Sequence, residues 1–179
     1  MAHIRVPEGL PGILGPMAIN PDAARALRDL AETLLRGPST LTAAEREIIA
    51  TYVSSQNDCR FCQLSHGAAA AEHLGGNYEL IERIKSNYLA AEIPEKLKAL
   101  LALAGQVQKG GHCVAAEDVE RARSAGATDQ EIHDAVLIAA AFCMFNRYVD
   151  GLATWQPADP QAYREMGRHM AHTGYVRTG

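Results

Sequence analysis

Asn57-Asp58-Cys59-Arg60-Phe61-Cys62-Gln63-Leu64-Ser65-His66-Gly67-Ala68-Ala69-Ala70-Ala71 is the stretch on which the architecture turns. Asn57-Asp58 breaks one helix and caps the next, and small residues carry that next helix to Gly75-Gly76, a pair that stops helices. Immediately upstream, Thr42-Ala43-Ala44-Glu45 has the form of a capping box, with a helical period behind it to about Gln56. Two helices joined by a short break are therefore expected here.

The same punctuation continues in both directions. Asn20-Pro21 supplies an N-cap and a first helical residue for a helix through roughly Leu35, stopped by Gly37-Pro38. A shorter helix is expected from Tyr78 to Asn87, and another from Pro94 to the Gly110-Gly111 stop. Ala115 to Ala125 ends at Gly126, and Thr128-Asp129-Gln130-Glu131 is a second capping box, opening a helix that ends near Gly151. A last helix around Asp159 to Met170 leads into a polar tail. No alternating run and no Asn-Gly or Asp-Gly hairpin between β-branched runs is found. The expected fold is all-α, a single domain over 1–179 with its core at about 20–155. A loose symmetry between 42–75 and 94–150 has the form of a degenerate internal duplication.

Composition narrows the function classes. A net charge of −4 and a pI near 6.0 give no electrostatic basis for binding nucleic acid or an anionic membrane. The first eight residues lack the apolar core of a signal peptide, and the longest apolar run, Ala135 to Phe145, has 11 residues, too few to cross a bilayer. A cytoplasmic location is expected, and in a reducing compartment the close pair Cys59 and Cys62 reads as redox or metal chemistry.

On a helix, Cys59, Cys62 and His66 fall at i, i+3 and i+7, on a single face. With Asp58 as cap, Cys59 would lie in the first turn, where free N–H groups favour a thiolate, and nearest to solvent. Cys62 is one turn deeper, at i−4 from His66, whose imidazole can take its proton. Glu47 on the preceding helix is, by spacing alone, either a solvated surface charge or a buried acid/base.

These residues resemble a known family. Glu45-Arg46-Glu47, Ser54, Asn57, Cys59, Cys62 and His66 are similar to the E…N-x-C-x-x-C-x-x-x-H core of the AhpD-like proteins of the carboxymuconolactone decarboxylase superfamily. Ala139-Ala140-Ala141-Phe142 and Asn146-Arg147-Tyr148-Val149-Asp150-Gly151-Leu152 resemble the closing helix of its peroxidase-related branch. The resemblance implies an AhpD-like helical fold assembled as a homo-oligomer, trimer or hexamer. It implies a thiol peroxidase with Cys62 attacked by peroxide, Cys59 resolving, and Glu47 and His66 relaying protons. Its partners would be a peroxide substrate and an external dithiol or protein reductant, and no cofactor is required. Members without the cysteines act on lactones, which both thiols here argue against. The chain departs at Phe61, where the founding peroxidase has a histidine.

Three other readings follow from the same residues: a protein disulfide reductase using the cysteine pair, a lactone decarboxylase-type acid/base enzyme, and a structural oligomer holding zinc. His112 and Cys113 are the residues that would complete a zinc set with Cys59 and Cys62. Cys143 reads as core, Trp155 and Tyr148 as core or interface, His169 and His172 as solvated. Asn146 and Arg147 read as helix-ending hydrogen-bond partners or as pocket or interface residues.

Overall fold

A computed structural model describes residues Ala2 to Val176. Among these, nine α-helices and two short 3-10 turns occur, and no strand. The helices are α1 (Leu14–Met17), α2 (Pro21–Arg36), α3 (Ala43–Gln56), α4 (Arg60–His73), α5 (Tyr78–Asn87), α6 (Glu95–Lys109), α7 (Ala116–Ser124), α8 (Asp129–Gly151) and α9 (Pro160–Thr173). The expected all-α class is what the chain adopts, and only the four-residue α1 had no sequence signal.

Both capping boxes form. Thr42 Oγ1 accepts from the Glu45 amide at 3.2 Å while Glu45 Oε2 accepts from the Thr42 amide at 2.8 Å. Thr128 and Glu131 repeat the exchange at 3.2 and 2.8 Å. Such a cap contributes about 1 kcal/mol, enough to fix where α3 and α8 begin.

Helix α3 lies at the centre. Every residue from Arg46 to Ser54 is buried, because α2, α4, α5, α6 and α8 surround it on all sides. Its partner α4 is in turn covered by α9 on the face away from α3. That double coverage accounts for the Ala68–Ala71 run: α4 has room for nothing larger on either flank. The α4–α9 approach is closest at Gly167, where an added Cβ would lie 2.4 Å from Ala68 Cβ and 2.6 Å from the Ala69 amide.

Helix α8 is long and apolar enough, by length and composition, to cross a membrane, yet half of its most apolar window is buried inside the fold. Ile138 and Phe142 are among its core residues, alongside Leu35, Ile49, Leu100 and Leu103. The length of α8 thus serves a core. On its outer side Leu137 and Met144 are 39% and 42% exposed.

Two expectations are corrected at the break before α4. Asp58 does not cap that helix; it adopts a left-handed conformation, φ +55°, and Cys59 is itself the N-cap. Asp is among the residues that tolerate this region, and the turn lets the Cys59 amide donate to Ser54 O at 3.0 Å. Cys59 is also not the solvent-facing thiol. It is fully buried, at 0% exposure, because α9 brings Tyr163 against it in a second small core with Phe61, Cys62 and Val149. The last helix runs to Thr173 rather than Met170, and just after it the Tyr175 amide donates to Glu32 Oε2 at 2.7 Å. Trp155, read as core or interface, is 55% exposed on this chain.

Candidate functional site

Burial at the middle of α3 decides the state of Glu47. Its side chain is fully enclosed, and both carboxylate oxygens are used. Oε2 lies 2.9 Å from His66 Nδ1 of α4, and Oε1 accepts a short hydrogen bond from the Tyr175 hydroxyl. A buried carboxylate without such partners would be strongly disfavoured. The solvated alternative for Glu47 is therefore set aside by its position.

His66 is held on three sides. Phe142 of α8 meets its ring edge-on with centroids 4.7 Å apart, and Tyr175 stacks on it at 5.8 Å and 13°. Glu47 takes the third side. Burial on its own would lower the imidazole's proton affinity. The Glu47 charge and hydrogen bond, followed by the Cys62 sulfur, outweigh it and raise the pKa above the ordinary histidine value. With the carboxylate at Nδ1, the proton on that nitrogen is fixed and Nε2 is the nitrogen left for exchange.

The two thiols are unequal. The neighbouring Cys59 thiol is the first of the influences that hold the Cys62 thiol below its ordinary pKa. Burial opposes that shift, while the His66 charge and the Asn146 amide add to it. Cys59 moves the other way, through Cys62 first and burial second, with Asp150 acting in the same direction. The surroundings thus favour ionisation at Cys62 over Cys59. Asp150 has its carboxyl pushed up by burial, an effect partly offset by the Cys59 hydrogen bond.

Cys59, Cys62, His66 and Glu47 are accordingly brought into one buried cluster spanning α3 and α4. Around it lies a polar network that spacing alone did not reveal. Asn57 Nδ2 donates to Asn146 Oδ1 at 2.8 Å, Asn146 Nδ2 donates to Ser54 Oγ at 3.1 Å, and Gln108 Nε2 donates to Asn57 Oδ1 at 2.9 Å. Asn146 lies within α8, not at its end, and is 1% exposed. Arg147, its neighbour, faces outward and donates to Cys143 O at 2.9 Å. Tyr175, some 109 residues from His66 and 128 from Glu47, carried no sequence signal at all.

Phe61 points away from the relay. It is 5% exposed, packs 6.1 Å from the Tyr163 ring, and abuts Gly12, whose added Cβ would fall 2.3 Å from the phenyl ring. His112 is exposed and Cys113 half-buried in the 3-10 turn after α6. Among the described residues no three His, Cys, Asp or Glu side chains gather as a metal set. A groove of about 500 Å³ runs along α6 and α8, lined in part by Gln108, Cys143 and Arg147 but by neither thiol of the pair. His169 and His172 are exposed, as expected.

The profile of the carboxymuconolactone decarboxylase family matches residues 21–104. No curated protein matches the chain. Among solved structures, an uncharacterized peroxidase-related protein from Silicibacter sp. TM1040 is 31% identical, with 88% of this chain and 81% of that one covered and a TM-score of 0.78. An alkylhydroperoxidase AhpD core, an uncharacterized peroxidase-related protein from Ralstonia eutropha JMP134, is 30% identical over 88% and 81% of the two chains, also at 0.78. A protein of unknown function from Agrobacterium tumefaciens shares the fold at 21% identity, covering 83% of this chain and 99% of that one, with a TM-score of 0.71.

Proposed function

Because the chain belongs to the AhpD-like proteins of the carboxymuconolactone decarboxylase superfamily, we propose that it is a thiol-dependent peroxidase acting through Cys62 and Cys59. The observation that carries this reading is geometric: both thiols lie buried in one small cluster at the start of α4, Cys62 one turn before a His66 whose Nδ1 is 2.9 Å from the buried Glu47 carboxylate. The same surroundings favour ionisation at Cys62 over Cys59.

The Cys62 thiolate attacks one peroxide oxygen; an S–O bond forms and the O–O bond breaks. The departing hydroxide or alkoxide takes a proton from His66, whose imidazolium is held by Glu47. Cys59 gives up its proton toward Asp150 and attacks Cys62 sulfur; the S–S bond forms as the S–O bond breaks, and the hydroxide leaves as water with the proton that Cys59 released. An external dithiol then returns two electrons and two protons to the pair. No step calls on a cofactor.

Both thiols are nearly closed off, at 0% and 3% exposure, which favours a small peroxide over a protein disulfide as the oxidant. The reductant is on the same argument a small dithiol or a partner that displaces part of α9. The exposed apolar positions of α8 support assembly as a homo-oligomer.

The test is peroxide-dependent turnover with a dithiol reductant. Cys62→Ser should abolish it, whereas Cys59→Ser should leave one round of oxidation that stops at a sulfenic acid trappable by dimedone. Undiminished turnover in Cys62→Ser refutes the assignment.

A further inference from the structure

Tyr175 stands in the relay without a role in the reaction as written. The turn that delivers it is specific. Gly174 has φ +84°, and an added Cβ there would lie 2.5 Å from Glu32 Oε2. The Tyr175 amide donates to that same oxygen at 2.7 Å. Arg36 of α2 also donates to the carbonyls of Met170 and Ala171 at the end of α9. Two charged residues of α2 therefore fix the last turn of α9 and the residue that follows. The product of this arrangement is a phenol with its hydroxyl on Glu47 Oε1, 3.3 Å from His66 Nδ1, and its ring flat against the imidazole.

We propose that Tyr175 is a positioning residue that sets the proton affinity of the Glu47–His66 pair by sharing the Glu47 carboxylate with the imidazole. This rests on the peroxidase reading for its consequence in turnover, though not for the titration itself. A hydroxyl donating to Oε1 takes up part of the negative charge that Oε2 would otherwise offer to His66. The donor is worth most when His66 is neutral and the carboxylate has no cationic neighbour. It therefore stabilises the deprotonated pair relative to the ion pair and lowers the pH at which His66 gives up its proton.

The phenol is suited to be a permanent donor. Burial first, and the Glu47 charge second, push its own pKa well above the ordinary tyrosine value, so it keeps its proton wherever His66 titrates. Other charged groups act on the cluster from each packed element. They are Glu32 and Arg36 from α2, Arg46 from α3, and Cys62 and His73 from α4, with His172 of α9 acting on His73. Replacing the hydroxyl alone leaves all of them in place.

The experiment is an NMR titration of the His66 ring, assigned by its loss in His66→Gln, in reduced wild type and in Tyr175→Phe. The phenylalanine keeps the stacked ring and removes the donor. The His66 midpoint is expected to rise by about one pH unit, the order of a hydrogen bond to a carboxylate. The acid limb of the peroxide oxidation rate should rise with it. A fluorotyrosine at 175, a stronger donor, should move the midpoint down. An unchanged midpoint in both replacements would mean that Tyr175 only packs, and would overturn the proposal. If wild type shows no peroxide-dependent thiol loss, the peroxidase reading fails, while the two midpoints still decide the role of Tyr175. If Tyr175→Phe does not fold, the fluorotyrosine protein decides alone by the direction of its shift.

Discussion

Cys62 sits among three groups that favour its ionisation, the Cys59 thiol, the His66 imidazole and the Asn146 amide. The order of these influences can be tested. Cys59→Ala removes the donor and should raise the pH at which Cys62 becomes a thiolate by more than His66→Ala does. Cys59→Ser, which retains a hydroxyl donor, should leave it nearly in place. Thiolate ultraviolet absorbance against pH measures all three, with 9.0 as the ordinary cysteine value. If His66→Ala gives the larger rise, the donor thiol is not the dominant influence. Sequence spacing located the His66 side of this arrangement, because i and i+4 on one helix are necessarily neighbours. It misjudged Cys59, since nearness to a loop in sequence says nothing of what a later helix lays over it.

At the scale of elements, α4 is held mainly between α3 and α9, with α5 as a third neighbour, and carries small side chains from Gly67 to Ala71. Gly167→Ala places a methyl group against Ala68 and the Ala69 backbone, neither of which can rotate away. Helix α9 must then shift. The expected cost is about 1–3 kcal/mol, read as a lower denaturant midpoint. The same shift should speed the reaction of Cys59 and Cys62 with a bulky aromatic disulfide reagent. Equal reaction rates in mutant and wild type would mean that α9 is not what closes off the thiols. The helix boundaries were largely legible, because caps and glycine stops are local chemistry. The neighbours of each helix were not, because α4 carries apolar or small residues on nearly every side and so names no preferred face.

For the molecule as a whole, one large apolar cluster draws residues from Ala31 to Phe145, with a second small one around Cys59 and Tyr163 beside it, and we propose on that ground a single domain. The outer face of α8 is a separate matter, with Leu137, Ala140 and Met144 all open to solvent. If copies of the chain associate through it, Leu137→Glu with Met144→Glu should reduce the mass seen by light scattering to that of one chain, 19.3 kDa, without unfolding it. A wild-type protein that already scatters as a single chain would remove that expectation. Glu47 illustrates what could be read at this scale. Motif resemblance selected it, yet only the packing of five helices around α3 explains why its carboxylate is buried and needs two donors.

The cover over the thiol pair also has a place in time. Tyr163 packs over a cysteine pair whose adjacent Arg60 it follows by 103 residues. At about 5–20 residues per second, translation takes roughly 5–20 s to pass from one to the other. The two sulfurs thus emerge first and Tyr163 afterward, so that in the newborn chain the pair stays uncovered, and open to oxidation if it has the redox role proposed for it, until α9 arrives.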